Sequence, residues 1–305
     1  MGKAVDTNQF ILNCRGRSLD CRPGLARGAQ VMGILNVTPD SFSDGGLYVD
    51  LDTALSKAER MLTEGASIID VGGESSRPKG SVYGTGAEAV PADEEKRRVI
   101  PVVEAIAQRF PEAFISVDTY KPEVAKAALE SGAHIINDIT GLRIFPIMAE
   151  VVAKFQVPLI LMHSLGRPGA MPHEHHYDNV ITAVAESLQH SITLAQAAGV
   201  QQLVTDPGFG FGKSVPENLR LISAVDRFLR LGYPVLMGIS RKSTIGAVLQ
   251  HPENPAPIGE RLYGSLGATA IAVLRGATII RTHDVRPTVD MLKLLSATAF
   301  PESEG

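Results

Sequence analysis

Short apolar runs recur along this chain, and most are followed by a stretch with the three-to-four-residue apolar spacing of a helix. The first run, VMGILN at 31–36, reads as a strand buried on both faces that delivers Asn36 at its carboxyl end. The turn-forming sequence TPDSFSDGG then opens a loop. Further strands are predicted at 67–71, 114–117, 134–136, 158–162, 202–205, 234–239 and 278–280. Helices are predicted between and after them at about 52–64, 93–106, from Pro122, 146–155, 177–198, 216–229, 243–249, 259–274 and 285–299.

Strand–helix alternation implies a parallel sheet, and eight units in one run fit a closed barrel better than an open sheet. The expectation is an α/β chain, 1–305, forming a single (β/α)8 barrel domain over about 31–299. Residues 9–30 read as an N-terminal hairpin, with Arg15-Gly16-Arg17 near its turn, that would plug the amino-terminal mouth.

Parallel strands bring their carboxyl ends to one mouth, so residues scattered in sequence become a ring. That ring is Asn36, Asp70, Asp118, Asn137, His163, Asp206, Lys242, and Arg281 with His283. Buried carboxylates need partners, and the lysine and arginine supply some of the compensation. Carboxylates and an amide suit the donor-rich edge of a flat heterocycle such as an aminopyrimidine. Arg281 and His283 offer donors for phosphate oxygens, and the helix start at Ser240–Ser243 favours a second anion.

Composition changes this picture little. A net charge of −4 excludes a basic nucleic-acid surface. There is no signal-peptide core and no run near the ~20 apolar residues of a membrane span, so a cytoplasmic, reduced protein is expected, with no membrane or nucleic-acid partner. Cys14 and Cys21 could face each other across the hairpin, but no second pair completes a zinc site and no disulfide framework is expected.

TPDSFSDGG at 38–46, DVGGESSRP at 70–78, SVDTYKPEVA at 116–125, NDITG at 137–141 and MHSLGRPGAM at 162–171 resemble the dihydropteroate synthase family. DPGFGFGK at 206–213, GISRKS at 238–243 and RTHDV at 281–285 continue the resemblance in the family's order, from about residue 16 to the end. It implies a pterin-binding transferase of folate biosynthesis and a sulfonamide target. Such an enzyme condenses 6-hydroxymethyl-7,8-dihydropterin pyrophosphate with 4-aminobenzoate, giving 7,8-dihydropteroate and pyrophosphate. By matching position, Asp118, Asn137, Ile139, Met162, Asp206, Phe211, Lys242 and Arg281 would meet the pterin. Asn36, Arg281 and His283 would meet pyrophosphate, with Asn36 also reaching Mg2+. Phe42, Ser76, Arg77, Pro78, Phe211 and Ser243 would surround aminobenzoate. Catalysis would rest on Asn36, Asp118, Lys242, Arg281 and His283. The resemblance further implies a homodimer, closure of loops 37–46 and 72–91 over the site, and pyrophosphate departure before amine attack.

Two departures stand out. Ser76 replaces the family's usual threonine, and KGSVYGT at 79–85 is inserted before Gly86-Ala87-Glu88. Both bear on the shape of the aminobenzoate pocket and its response to sulfonamides.

GFGFGKS at 208–214 is not a P-loop, because Pro207 takes the place of that motif's first glycine. It reads as a turn whose backbone approaches ligand. His173, Glu174, His175 and His176 read as a solvated cluster rather than a metal site. The rival readings are a pterin-binding methyltransferase domain serving a cobalamin protein, and a non-catalytic pterin-binding barrel. Neither needs SFSDGG, SRKS and RTHDV together.

Overall fold

The structure, a computed structural model, describes residues 7–24, 29–38, 46–74, 89–166 and 177–299. Strands β1 (Ile11–Cys14) and β2 (Arg17–Asp20) pair antiparallel after a 3-10 turn at Thr7–Phe10. Arg15 and Gly16 both take positive φ between them, 57° and 82°, as a two-residue hairpin turn requires.

The barrel strands are β3 (Gln30–Asn36), β4 (Ile68–Gly72), β5 (Phe114–Asp118), β6 (Ile135–Asp138), β7 (Leu159–Met162), β8 (Leu203–Asp206), β9 (Leu236–Met237) and β10 (Ile279–Thr282). They run in the order β8-β7-β6-β5-β4-β3-β10-β9, parallel throughout. A parallel bridge from Thr205 to Val235 joins the two edges. The sheet therefore closes, which removes its exposed edges.

Helices α1 (Gly46–Thr63), α2 (Ala92–Arg109), α3 (Pro122–Glu130), α4 (Met148–Phe155) and α5 (Val180–Ala197) follow β3 to β7 in turn. Then come α6 (Val215–Ser223), α7 (Val225–Leu229), α8 (Ser243–Leu249), α9 (Leu262–Leu274) and α10 (Val285–Ala299). Local signals explain several starts. Asp93, Glu94 and Glu95 fill the first turn of α2, Pro122 opens α3, and Ser214 with Glu217 forms a capping box on α6.

Strand alternation sorts the interior into storeys. The lowest takes one apolar residue from each barrel strand: Met32, Ile68, Phe114, Ile135, Ile160, Val204, Leu236 and Ile279. Leu12, Cys14, Leu19 and Cys21 of the hairpin pack onto that layer and stop the amino-terminal mouth, as predicted. Burial of each such large side chain contributes about 1.5–3 kcal/mol. The intervening strand residues, among them Leu35, Val71, Val117, Leu161 and Ile280, face outward into the helix layer. Polar contacts fasten the plug. Arg17 donates to the carbonyls of Pro111 and Ala113 at 2.7 and 3.1 Å and lies 4.2 Å from the Phe114 ring, and Arg15 donates to the Leu129 carbonyl. Cys14 and Cys21 are free, buried thiols, and burial raises the Cys14 pKa to about 12.

Three boundaries differ from expectation. β9 is confined to Leu236–Met237, because Pro234 has no N–H and the Val235 N–H donates to the Thr278 hydroxyl at 3.1 Å. The predicted helix at 216–229 is broken at Ala224, whose φ and ψ are −115° and 19°. The first helix begins at Gly46 rather than Asp52.

Candidate active site

Two residues further along, five of the eight strands turn polar inside the barrel. Asp70, Ser116, Asn137, Asp206 and Arg281 occupy the middle storey, with Met162 among them. Another two residues on come Asn36, Asp118, Ile139, Ser240 and His283 at the carboxyl mouth. Seven of the nine predicted ring residues thus fall on two storeys over an apolar plug; Lys242 reaches in from the N-cap of α8, whereas His163, next after the inward Met162, turns outward and packs 6.1 Å from the Tyr177 ring.

Arg281 bridges the storeys. Its Nε donates to Asp70 Oδ2 at 2.6 Å and its Nη2 to Asp118 Oδ2 at 2.8 Å. Asn137 Nδ2 donates to the same Asp70 oxygen at 3.2 Å. Burial alone would lower the arginine's pKa, but the two carboxylates outweigh it and the guanidinium stays charged. Asp118 is held well above the usual carboxylate range by burial and by the negative charges of Asp70, Glu95 and Glu74, against the pull of Arg281. Asp70 belonged to the predicted ring but carried no assigned role; the structure makes it the base on which Arg281 rests.

Asp206 is buried, and its Oδ1 accepts the Gly208 N–H at 2.7 Å. Burial raises its pKa, while Lys242 lowers it. Lys242 donates from Nζ to the Phe209 carbonyl and lies 4.2 Å from the Phe211 ring centroid. Surrounding protein brings its pKa down to about 7, opposed by Asp206 and reinforced by the Arg281 charge. Ile139, Met162 and Phe211 form one apolar cluster with Tyr120, a wall beside these polar groups. Tyr120 was absent from the predicted wall, since a tyrosine in a turn carries no periodic signal.

The glycine-rich turn after β8 works by close backbone approach. Gly208 has φ +70°, and a Cβ there would stand 1.8 Å from the His163 carbonyl oxygen. Lys213, part of the DPGFGFGK motif but given no role from sequence, is buried and donates to the carbonyls of Gly208, Phe211 and His163 at 2.8, 3.0 and 3.5 Å. Burial lowers its pKa to about 7, with Asp206 opposing.

At the rim, Ser240 Oγ accepts the His283 backbone N–H at 3.2 Å and shares a hydrogen bond with His283 Nδ1 at 3.1 Å. In the tautomer in which the hydroxyl donates to Nδ1, the ring proton sits on Nε2, where it can meet an anionic oxygen. Protein packed around the ring, together with the Arg281 and Arg241 charges, lowers the His283 pKa to about 4, although its outer edge remains exposed. Arg241 donates bidentately to Asp284 at 2.9 and 2.5 Å, tying the turn after β9 to the end of β10. Ser243 is the first residue of α8.

Asn36 is exposed at the end of β3. A Cβ on Gly72 would lie 3.6 Å from Asn36 Oδ1 and 3.6 Å from Asp118 Cβ, so these two side chains flank a strip of bare backbone. Among the described residues no three His, Cys, Asp or Glu gather as a metal cluster. A single amide oxygen fits magnesium if most of its other ligands are waters and substrate phosphates, its usual preference. Phe42, Ser76, Arg77, Pro78, most of the two predicted covering loops, the 79–85 insertion and the 173–176 histidine cluster lie outside the described residues.

Comparisons define the class first: a family described as pterin binding enzyme matches residues 32–283. The dihydropteroate synthase of Haemophilus influenzae is 46% identical over 272 residues, covering 88% of this chain and 94% of its own. That of Escherichia coli K12 is 48% identical over 270 residues, covering 88% and 91%. Among solved structures, Xanthomonas albilineans dihydropteroate synthase with 4-aminobenzoic acid superposes with a TM-score of 0.84 at 42% identity, covering 96% of this chain and 99% of that one. A Yersinia pestis dihydropteroate synthase bound to a sulfonamide drug gives 0.83 at 45% identity, with 95% and 99% covered. The chain belongs to the dihydropteroate synthase family, a family of transferases.

Proposed function

We propose that this barrel joins 6-hydroxymethyl-7,8-dihydropterin pyrophosphate to 4-aminobenzoate, releasing pyrophosphate and forming 7,8-dihydropteroate. The observation that carries the reading is the convergence of Asp70, Asp118, Asn137, Asp206, Lys242 and Arg281 beside the Ile139–Met162–Phe211 wall. A Xanthomonas albilineans relative has been solved with 7,8-dihydropteroate, which supports the same ligand for this site.

The pterin's donor-rich edge would lie on Asp118, Asn137 and Asp206, with Lys242 donating to a ring acceptor. The Ile139–Met162–Phe211 wall covers one face of the ring. Arg281, whose Nε and Nη2 are engaged by carboxylates, holds Asp118 in place and has further N–H groups for a phosphate oxygen or the ring face. His283 Nε2–H and the Asn36 amide complete the pyrophosphate end, and Asn36 would be the protein's ligand to Mg2+. When bound, the ion would neutralise charge on the departing pyrophosphate.

The C–O bond of the pterin methylene breaks with its electron pair leaving on pyrophosphate. The positive charge this leaves on the pterin is stabilised by the carboxylates. The amine nitrogen then bonds to the methylene carbon and gives up a proton to solvent or a carboxylate. Phe42, Ser76, Arg77, Pro78, Phe211 and Ser243 are assigned to the aminobenzoate.

A homodimer fits the exposed apolar side chains Val248, Leu249, Ile271 and Leu274 on α8 and α9, at 50–56% exposure. No helix among the described residues is long and apolar enough to cross a membrane. We assign the enzyme to the cytoplasm. The test is incubation with the pterin pyrophosphate, magnesium and labelled 4-aminobenzoate. Labelled dihydropteroate is expected; its absence from a folded preparation refutes the assignment.

A further inference from the structure

We infer that Glu74, Lys121 and Glu95 form a buried positioning device that fixes the exit of β4 against the Asp118 turn and so sets the aminobenzoate contacts. This rests on the proposed reaction. The Lys121 ammonium donates to one carboxylate oxygen of each glutamate. The side chains of Glu74, Glu95 and Lys121 are 6%, 1% and 10% exposed. They come from three places that the site needs in register. Glu74 follows the end of β4, Glu95 lies in the first turn of α2, and Lys121 caps α3 just beyond Asp118.

Backbone contacts reinforce the dock. A Cβ on Gly73 would stand 2.9 Å from Glu95 Cγ and 2.7 Å from Val99 Cγ2, so the chain lies flat on α2 at that point. Arg98 Nη1 donates to the Gly73 carbonyl at 3.0 Å, and the Tyr120 hydroxyl donates to Glu74 Oε1 at 3.3 Å. Glu74 is therefore held from α2 and from the β5–α3 turn at once. Ser76, Arg77 and Pro78 follow directly in sequence.

Two carboxylates on one ammonium leave an excess negative charge under the site. A buried charge cluster is a poor device for stability alone, because desolvation offsets much of its attraction. It is a good device for geometry, since each hydrogen bond constrains direction. The same excess charge acts on Asp118, which both glutamates push toward protonation. A displacement of about 1 Å at a reacting group can cost about 100-fold in rate.

The test compares the parent with Glu74→Gln and Glu95→Gln, each of which removes charge and keeps shape. The Michaelis constant for 4-aminobenzoate and the calorimetric Kd for the pterin pyrophosphate are measured on the same preparations. The constant for aminobenzoate is expected to rise about tenfold, while pterin Kd weakens by no more than about twofold, because removing a carboxylate charge favours ionised Asp118. Neither constant depends on the fraction of active protein, so partial unfolding does not imitate the result. Parental constants in both variants, or equal weakening of both substrates, overturn the inference and leave the reaction standing. A parent that makes no dihydropteroate overturns the proposed reaction and the inference with it.

Discussion

Arg281 donates from Nε to Asp70 Oδ2 at 2.6 Å, although 211 positions separate the two residues in the chain. Asp70 is fully buried and rests against the Arg281 guanidinium, a buried ion pair. Asp70→Asn therefore leaves Arg281 hydrogen-bonded to the Asp118 carboxylate, with Asp206 the remaining negative charge acting on it. We expect a loss of about 3 kcal/mol in unfolding free energy, the low end for breaking a buried pair. Chemical denaturation measures it, and an unchanged midpoint removes the pair from the stability account.

Asp118→Asn and Asp206→Asn should each weaken pterin binding. An amide presents donors where the proposed ligand edge also presents donors. Losing one charge-assisted hydrogen bond in a buried site costs about 1.5–3 kcal/mol. Calorimetry on folded variants decides; affinity within about twofold of the parent takes that residue out of the pterin site.

Lys242 sets an alkaline limit. Its pKa near 7 means that the free site loses this ammonium as pH rises above neutrality. The kcat/KM for pterin pyrophosphate should fall over that range. Lys242→Arg keeps its charge far above pH 8, so its alkaline limb should move upward by more than about one unit. A limb that stays in place assigns the ionisation to another group.

Lys213 makes the corresponding statement about stability. Its folded pKa is lowered to about 7 from the ordinary 10.5, so between those values the unfolded chain binds more protons. The penalty for burying the charge is fully present below pH 7 and relieved as pH rises. Relative to Lys213→Met, the parent should gain about 1.4 kcal/mol per pH unit between 7 and 9. Denaturant titrations at several pH values provide the readout, and a flat difference refutes the lowered pKa.

The 79–85 insertion follows the residues assigned to aminobenzoate and is rich in glycine and polar groups. Its deletion should raise the Michaelis constant for aminobenzoate, or let water compete and yield hydroxymethyl-dihydropterin. Pterin affinity should hold, because Asp118, Asn137 and Asp206 sit on strand ends. Parental kinetics without the hydrolysed by-product would show the segment to be dispensable.

Strand ends were the most legible feature of the sequence. A strand buried on both faces is a plain apolar run, and the polar residue that ends it is conspicuous. Asn36, Asp118, Asn137 and Asp206 were visible for that reason. The same uniformity hid which alternate positions face the barrel axis, so the two storeys and the Asp70–Arg281 contact could not be read. The work of Lys213 was masked by a glycine motif that suggests phosphate binding; its partners are carbonyls, which carry no sequence signature. The Glu74–Lys121–Glu95 cluster joins three separate loops and helix ends, and only tertiary structure reveals it. The Ser214–Glu217 capping box, by contrast, is spelled out in SVPE and could have marked the start of α6.

The hairpin plug also orders events during synthesis. β1 and β2 leave the ribosome before the barrel strands, yet Arg17 waits for carbonyls at 111–113, Arg15 for Leu129, and Asn13 for Gln202, 189 positions downstream. Until those strands arrive, Leu12, Cys14, Leu19 and Cys21 have no complete floor to cover. A nascent chain in this state displays apolar surface on its hairpin, the kind of species that aggregates or recruits chaperones. Docking of the hairpin is therefore completed only after the strands up to β8 are in place.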